Sequence, residues 1–243
     1  MKKGFTQKSI LIFLIFTLSS IKLLSQYYTV IEYLKKGNAK INSGDYRGAI
    51  QDYNKALELN PNSDDAYNNR GVAKNELGDF RGAIQDFNKA LELNPNFPKV
   101  YNNRGVAKSH LGDNRGAILD YNNAIELNPN YADAYHGRGS SKNELGDYRG
   151  AIQDFNKALE LNPNFPKAYN NRGVAKSQLS DYRGAIQDFN KALELNPNNA
   201  QTYKSRGVAK FELGDIDGAC WDWSKAGELG YMKAYDLIEE YCK

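Results

Sequence analysis

From residue 30 onward, apolar and polar positions recur every 34 residues. Residues 64–97 (DDAYNNRGVAKNELGDFRGAIQDFNKALELNPNF) show the pattern in full. Ala66, Tyr67, Ala73 and Leu77 fall on one face of a first helix at helical spacing. Phe80, Ala83, Ile84, Phe87, Ala90 and Leu91 fall on one face of a second. Gly78 suits a left-handed C-terminal cap and Asp79 an N-cap, and Asn94-Pro95 ends the second helix. Each period therefore predicts two antiparallel helices, with Gly71 and Ala83 lacking bulk where they cross. The step is kept by Pro61, Pro95, Pro129, Pro163 and Pro197, and by Gly37, Gly71, Gly105, Gly139, Gly173 and Gly207. Six units follow, starting at residues 30, 64, 98, 132, 166 and 200, within an array spanning 26–233. A period of this size means stacked copies of one hairpin, stable only against one another.

The ends depart from the pattern. Residues 1–9 are basic without an acid, residues 10–18 (ILIFLIFTL) are almost wholly apolar, and Ser19, Ser20 and Lys22 follow. This order reads as a secretory signal peptide over 1–25, cut at Ser25–Gln26. The alternative is an uncleaved membrane anchor over 10–24. Either implies export to the periplasm, envelope or exterior. At the other end, residues 232–242 (MKAYDLIEEYC) predict a capping helix, its end forming segment 234–243. If that helix runs antiparallel to 219–229, Cys220 and Cys242 meet. Outside the cytoplasm this favours a disulfide, and two buried thiols are the alternative.

Tyr67, Gly71, Ala83, Phe87, Ala90 and Pro95 stand at the offsets of a known pattern, and the chain resembles the tetratricopeptide repeat family, in an Asn-Arg-Gly variety. The resemblance implies an all-α, right-handed α-solenoid of six 34-residue helix-turn-helix repeats plus the C-terminal capping helix. Two departures stand out. Arg70, Arg104, Arg138, Arg172 and Arg206 precede the glycine where an apolar residue is usual. Lys74, Lys108, Lys142, Lys176 and Lys210 replace a first-helix Tyr. The core beside them must be more polar.

In the resembled family the first helices line a concave groove. By that mapping the groove receives Asn68 and Asn69, Asn102 and Asn103, His136, and Asn170 and Asn171, with Val72, Val106, Val174 and Val208 as apolar strips. Side-chain amides donate and accept, which suits an extended peptide backbone. The pattern resembles the asparagine ladder of O-linked N-acetylglucosamine transferases, interrupted at Lys35, Gly137 and Ser205. Solvated surface copied by duplication is the alternative. A longer period of 68 supports copying: Phe97-Pro98 recurs as Phe165-Pro166, while Asp65, Lys99, Asp133 and Lys167 alternate in sign.

Composition narrows the chemistry. The net charge is +3; without residues 1–25, which hold four lysines and no acid, it is −1. That disfavours nucleic-acid binding by bulk charge. Membrane contact is expected only through the leader. Two Cys and two His leave no metal set, and no phosphate or dinucleotide loop occurs. Arg70/Asp86 and its copies read as interhelix or inter-repeat ion pairs, and His110 and His136 lack nucleophile partners. The expected protein is a cofactor-free, non-catalytic module binding a protein or peptide. A structural envelope role through the convex face or ends, or a regulatory subunit of a separate enzyme, is the alternative.

Overall fold

The computed structural model describes residues 7–242, with side chains from residue 24 onward. Residues 1–6 of the expected signal peptide lie outside the described residues. Every regular element described is a helix. In chain order they are α1 (Gln7–Asn42), α2 (Tyr46–Leu59), α3 (Asp64–Glu76), α4 (Phe80–Leu93), α5 (Pro98–His110), α6 (Asn114–Leu127), α7 (Ala132–Glu144), α8 (Tyr148–Leu161), α9 (Pro166–Gln178), α10 (Tyr182–Leu195), α11 (Ala200–Glu212), α12 (Ile216–Glu228) and α13 (Ala234–Tyr241). They group into two compact bodies, one ending at Ala107 within α5 and the other beginning at Lys108. In the first, α1 packs on α2, α2 on α3 and α3 on α4; in the second, the same succession runs from α6 to α13.

The caps follow the sequence. The Asp79 carboxylate accepts from the Gly82 backbone N–H at 2.9 Å. Asp45, Asp113, Asp147, Asp181 and Asp215 cap their helices in the same way. A Cβ on Gly82 would lie 2.1 Å from the Asp79 carboxylate, which accounts for the Arg-Gly that opens most second helices. Gly78 has φ +79°. One unit breaks this rule: Ser180 takes φ 60° in the place of that glycine. Ser180→Gly removes the left-handed penalty of a side chain and is expected to stabilise the fold by about 0.5–1 kcal/mol, read as a higher urea midpoint.

In the hairpins α1–α2, α3–α4, α7–α8, α9–α10 and α11–α12 the first-helix glycine faces a ring of the second helix. A Cβ on Gly71 would meet the Phe87 ring at 2.6 Å, and one on Gly173 the Phe189 ring at 2.7 Å. The rings also reach the following hairpin: Phe155 clusters with Ala151 and Ala175, and Phe189 with Ala185 and Ala209. Each ring thus joins two copies. Leu77 departs from the expectation. It caps α3 at the hairpin turn and is 44% exposed, because the chain there bends toward Gly78 and away from the core.

The ends differ from the repeats. The first helix does not begin at residue 30; α1 is continuous from Gln7, and the Gln26 side-chain amide donates to the Leu59 carbonyl at 2.6 Å. No described helix is long and apolar enough to cross a membrane. At the C-terminus, α13 packs on α12, and Tyr241 meets the rings of Phe211 and Trp223. Cys220 and Cys242 form a disulfide with Cα atoms 5.9 Å apart. Met232 and Lys233 lie in a turn before the eight-residue helix.

Candidate functional site

The strongest charges are held inside the repeats. Arg138 donates through Nε and Nη2 to both carboxylate oxygens of Asp154, at 2.9 and 2.6 Å, and Lys142 lies 2.8 Å from the same group. The third guanidinium nitrogen donates to Asn122 of the preceding second helix at 2.7 Å. The Tyr135 ring lies 5.4 Å from the guanidinium carbon. Arg70, Arg172 and Arg206 repeat this geometry with Asp86 and Asn54, Asp188 and Asn156, and Asp222 and Asn190. These are the interhelix ion pairs expected from the sequence, each made within one hairpin, while the Arg–Asn hydrogen bond reaches the preceding repeat. Each arginine ties its own hairpin to the one before it. Lysine stands in the Tyr register because it adds a second cation to the buried aspartate.

The amides also bind one another. Asn69 donates to Asn38 at 3.1 Å, Asn68 to Asn69 at 2.9 Å, and Asn103 to Asn68 at 3.0 Å. In the second body, Asn170 donates to Asn171 at 3.1 Å, and Thr202 to Asn170 at 2.9 Å. The Asn171 amide nitrogen lies 3.1 Å from His136 Nε2 and 3.3 Å from Ser140 Oγ. Asn68 and Asn102 are buried, whereas Asn69, Asn103, Asn170 and Asn171 are half-buried. The structure thus joins Asn68, Asn69 and Asn103, and separately His136, Asn170 and Asn171. Asn102 stands apart, its buried carbonyl without a hydrogen bond. Part of the capacity of Asn68, Asn69, Asn103, Asn170 and Asn171 is therefore spent within the array, a role distinct from ligand contact and from solvated surface.

The first body carries a cleft of about 670 Å³ on this row. Its apolar walls are Leu34, Ile41, Tyr53, Val72 and Phe97, its amides include Asn38, Asn69 and Asn103, and its charges are Asp65 and Lys99. Burial pushes the Tyr53 phenol up to about 12, with the Asp52 charge adding to it. The Asp65 carboxyl is raised by desolvation and by Asp64, against the pull of Lys99. Phe97, Asp65 and Lys99 were not among the expected site residues. Their signal was the 68-residue period. Leu34 and Ile41 belong to the irregular first unit, where the repeat gives no guide.

His136 is held neutral. Its ring lies 4.7 Å from that of Phe165 and 5.8 Å from that of Phe155. Burial, helped by the Lys167 charge, lowers its pKa to about 4 from 6.5. The unfolded chain therefore binds the proton first as pH falls. Stability is unaffected above about pH 6.5 and declines from there through pH 4, by about 3 kcal/mol in total. His136→Gln should lose this share of the acid sensitivity when urea midpoints at pH 7 and pH 4.5 are compared.

Among the described residues no cluster of three or more His, Cys, Asp or Glu could hold a metal ion. Profiles described as tetratricopeptide repeat match residues 64–97, 98–131, 166–199 and 120–153, and one described as TPR repeat matches 37–77 and 139–180. The chain is a tetratricopeptide repeat protein. Such proteins bind protein or peptide partners. No curated protein matches this repeat protein. Among solved structures it is similar to the MamA protein, at 30% identity over 71% of this chain and 94% of that one, with a TM-score of 0.60. PilF of Pseudomonas aeruginosa is 20% identical over 89% of this chain and 99% of its own, with a TM-score of 0.78. YrrB, described as a TPR protein with an unusual peptide-binding site, is 21% identical over 77% and 97%, with a TM-score of 0.61. At these identities PilF and YrrB share the fold.

Proposed function

We propose that this tetratricopeptide repeat protein is a non-catalytic interaction module outside the cytoplasm, holding a peptide or protein segment against the first helices. The observation that carries this is the cleft of the first body, where apolar walls and half-buried amides meet. Concave, mostly apolar sites with a few placed polar groups are the usual form of binding pockets. The Arg–Asp pairs, which tempt a catalytic reading, are consumed in holding hairpins together. YrrB supplies a precedent for peptide binding on this fold. Export is supported by the order of charges and apolar residues in the leader and by the Cys220–Cys242 disulfide. Contact with a membrane is confined to an uncleaved leader, and nucleic acid is not a partner of a chain whose array is nearly neutral.

A second reading rests on one observation. Leu119 and Trp221 are 65% and 57% exposed on the second helices, where the other units carry Gln. They would serve a structural role through the outer face. Photo-crosslinking in cells separates the two. A benzophenone side chain at Lys99 should give partner adducts, and one at Leu119 should not. Adducts from Leu119 alone would transfer the function to the outer face.

A further inference from the structure

The amide row is copied from one 68-residue block to the next, but two residues beside it change. In the first body, Asn68 lines the cleft together with Phe97, Lys99 and Asn103. One block later the corresponding residues are His136, Phe165, Lys167 and Asn171. The hydrogen bond is kept, since Asn103 donates to Asn68 as the Asn171 amide faces His136 Nε2. The imidazole is larger than the amide and packs on Phe165 at 4.7 Å between centroids. Val72 of the cleft wall becomes Ser140, so the wall also loses apolar surface. Two blocks copied from one another thus differ at these two positions, an amide and an aliphatic side chain in the first and an imidazole and a hydroxyl in the second.

The charges at the cleft are asymmetric. Asp65 and Lys99 occupy the same place in successive first helices, one 34-residue step apart. Both are exposed, and Lys99 has no ion pair within the described residues. A chain laid across the first helices meets a negative side and then a positive one. An acidic residue is attracted at Lys99 and repelled at Asp65, which fixes its place relative to the cleft. We propose that the first body takes an internal peptide segment by one aliphatic side chain, seated between Leu34, Ile41, Val72 and Phe97, with an acidic residue next to it on Lys99.

This inference rests on the first-helix binding proposed above, and the test separates the two. The probe is the blocked hexapeptide acetyl-Gly-Ser-Leu-Glu-Ser-Gly-amide, titrated at millimolar concentration into the full chain with amide NMR shifts as readout. Its counterparts carry Ala for Leu or Lys for Glu. Saturable shifts at Val72, Lys99 and Asn103 are expected. The Ala peptide should bind about tenfold more weakly, the loss of one buried aliphatic side chain. The Lys peptide should also be weaker, and Lys99→Glu should reverse that order. Asn68→His brings in the residue this chain already uses at 136, and Val72→Ser the residue it uses at 140. Each should abolish the preference for Leu over Ala while leaving the far-UV CD spectrum unchanged. Equal binding of the Leu and Ala peptides, or a Leu preference that survives both variants, would overturn the anchor while first-helix binding stands. Shifts confined to the second helices would sink both.

Discussion

Asp154→Ala lowers the stability of the chain by about 3–5 kcal/mol, the cost of leaving buried charges without their partner. The carboxylate is 4% exposed and receives two nitrogens of Arg138 and the ammonium of Lys142. Removing it strands two cations in a place that water scarcely reaches. It also unfixes the arginine that holds Asn122 of the preceding hairpin, so the loss falls on the joint between copies as well as on one hairpin. Urea unfolding followed by helical CD should show the transition moving to lower denaturant. A control is at hand three residues away. Lys157 pairs with Glu160 at 2.7 Å on the exposed surface, and Lys157→Ala should cost no more than about 0.5 kcal/mol. A sharper control replaces the whole set. Asp154→Leu with Arg138→Met and Lys142→Met removes the charges together and should recover most of the stability, because the desolvation cost disappears with the attraction. If the single change is as mild as the surface control, the buried carboxylate does not join the hairpins as described.

Phe189→Ala is the second large effect, expected at about 3–5 kcal/mol. The ring is fully buried, against Gly173 of its own hairpin and in one cluster with Ala209 of the next. Truncation opens a cavity walled by three helices whose backbones are already fixed by their caps and by Arg172 and Arg206. The opposite error should also cost. Gly173→Ala places a methyl group 2.7 Å from the ring and is expected to lose about 1–3 kcal/mol by overpacking. The two residues share one space, so their changes should not add. Gly173→Ala combined with Phe189→Leu, which makes room for the methyl, should cost less than the sum of the single changes. Strict additivity in urea unfolding would mean that the ring and the glycine do not constrain each other.

The hairpins were legible because their signals are local. Gly78, Asp79 and Pro95 act on the backbone within a few residues of themselves, and a 34-residue step repeats them until chance is excluded. The Arg–Asp pairing was legible for a related reason: a fixed separation of 16 residues brings opposite charges to one crossing. The third partner was not. Asn54 and Asn122 sit on second helices as unremarkable polar residues, and only the stacking of one hairpin on the next shows that an arginine reaches them. The amide pairs were harder still. A surface amide, a ligand-facing amide and an amide bonded to the next copy all recur with the same period, so periodicity cannot separate them. The cleft depends on Leu34 and Ile41, which belong to the one unit that departs from the repeat. Leu77 shows the converse failure: helical spacing points this apolar residue inward, but the turn that follows carries it into solvent.

The arginine joint has one further consequence. Arg70 with Asn54, Arg104 with Asn88, Arg138 with Asn122, Arg172 with Asn156 and Arg206 with Asn190 are the same connection made five times among the described residues, with donor–acceptor distances of 2.7, 2.7, 2.7, 2.7 and 2.6 Å. A connector whose two halves are identical at every step does not register which copy it has received. A gene encoding such a chain can gain or lose a whole block by unequal recombination, and the new neighbours will fit without a compensating mutation. Length is then free to vary among descendants in steps of one or two hairpins, while the irregular ends, which no copy can replace, stay fixed.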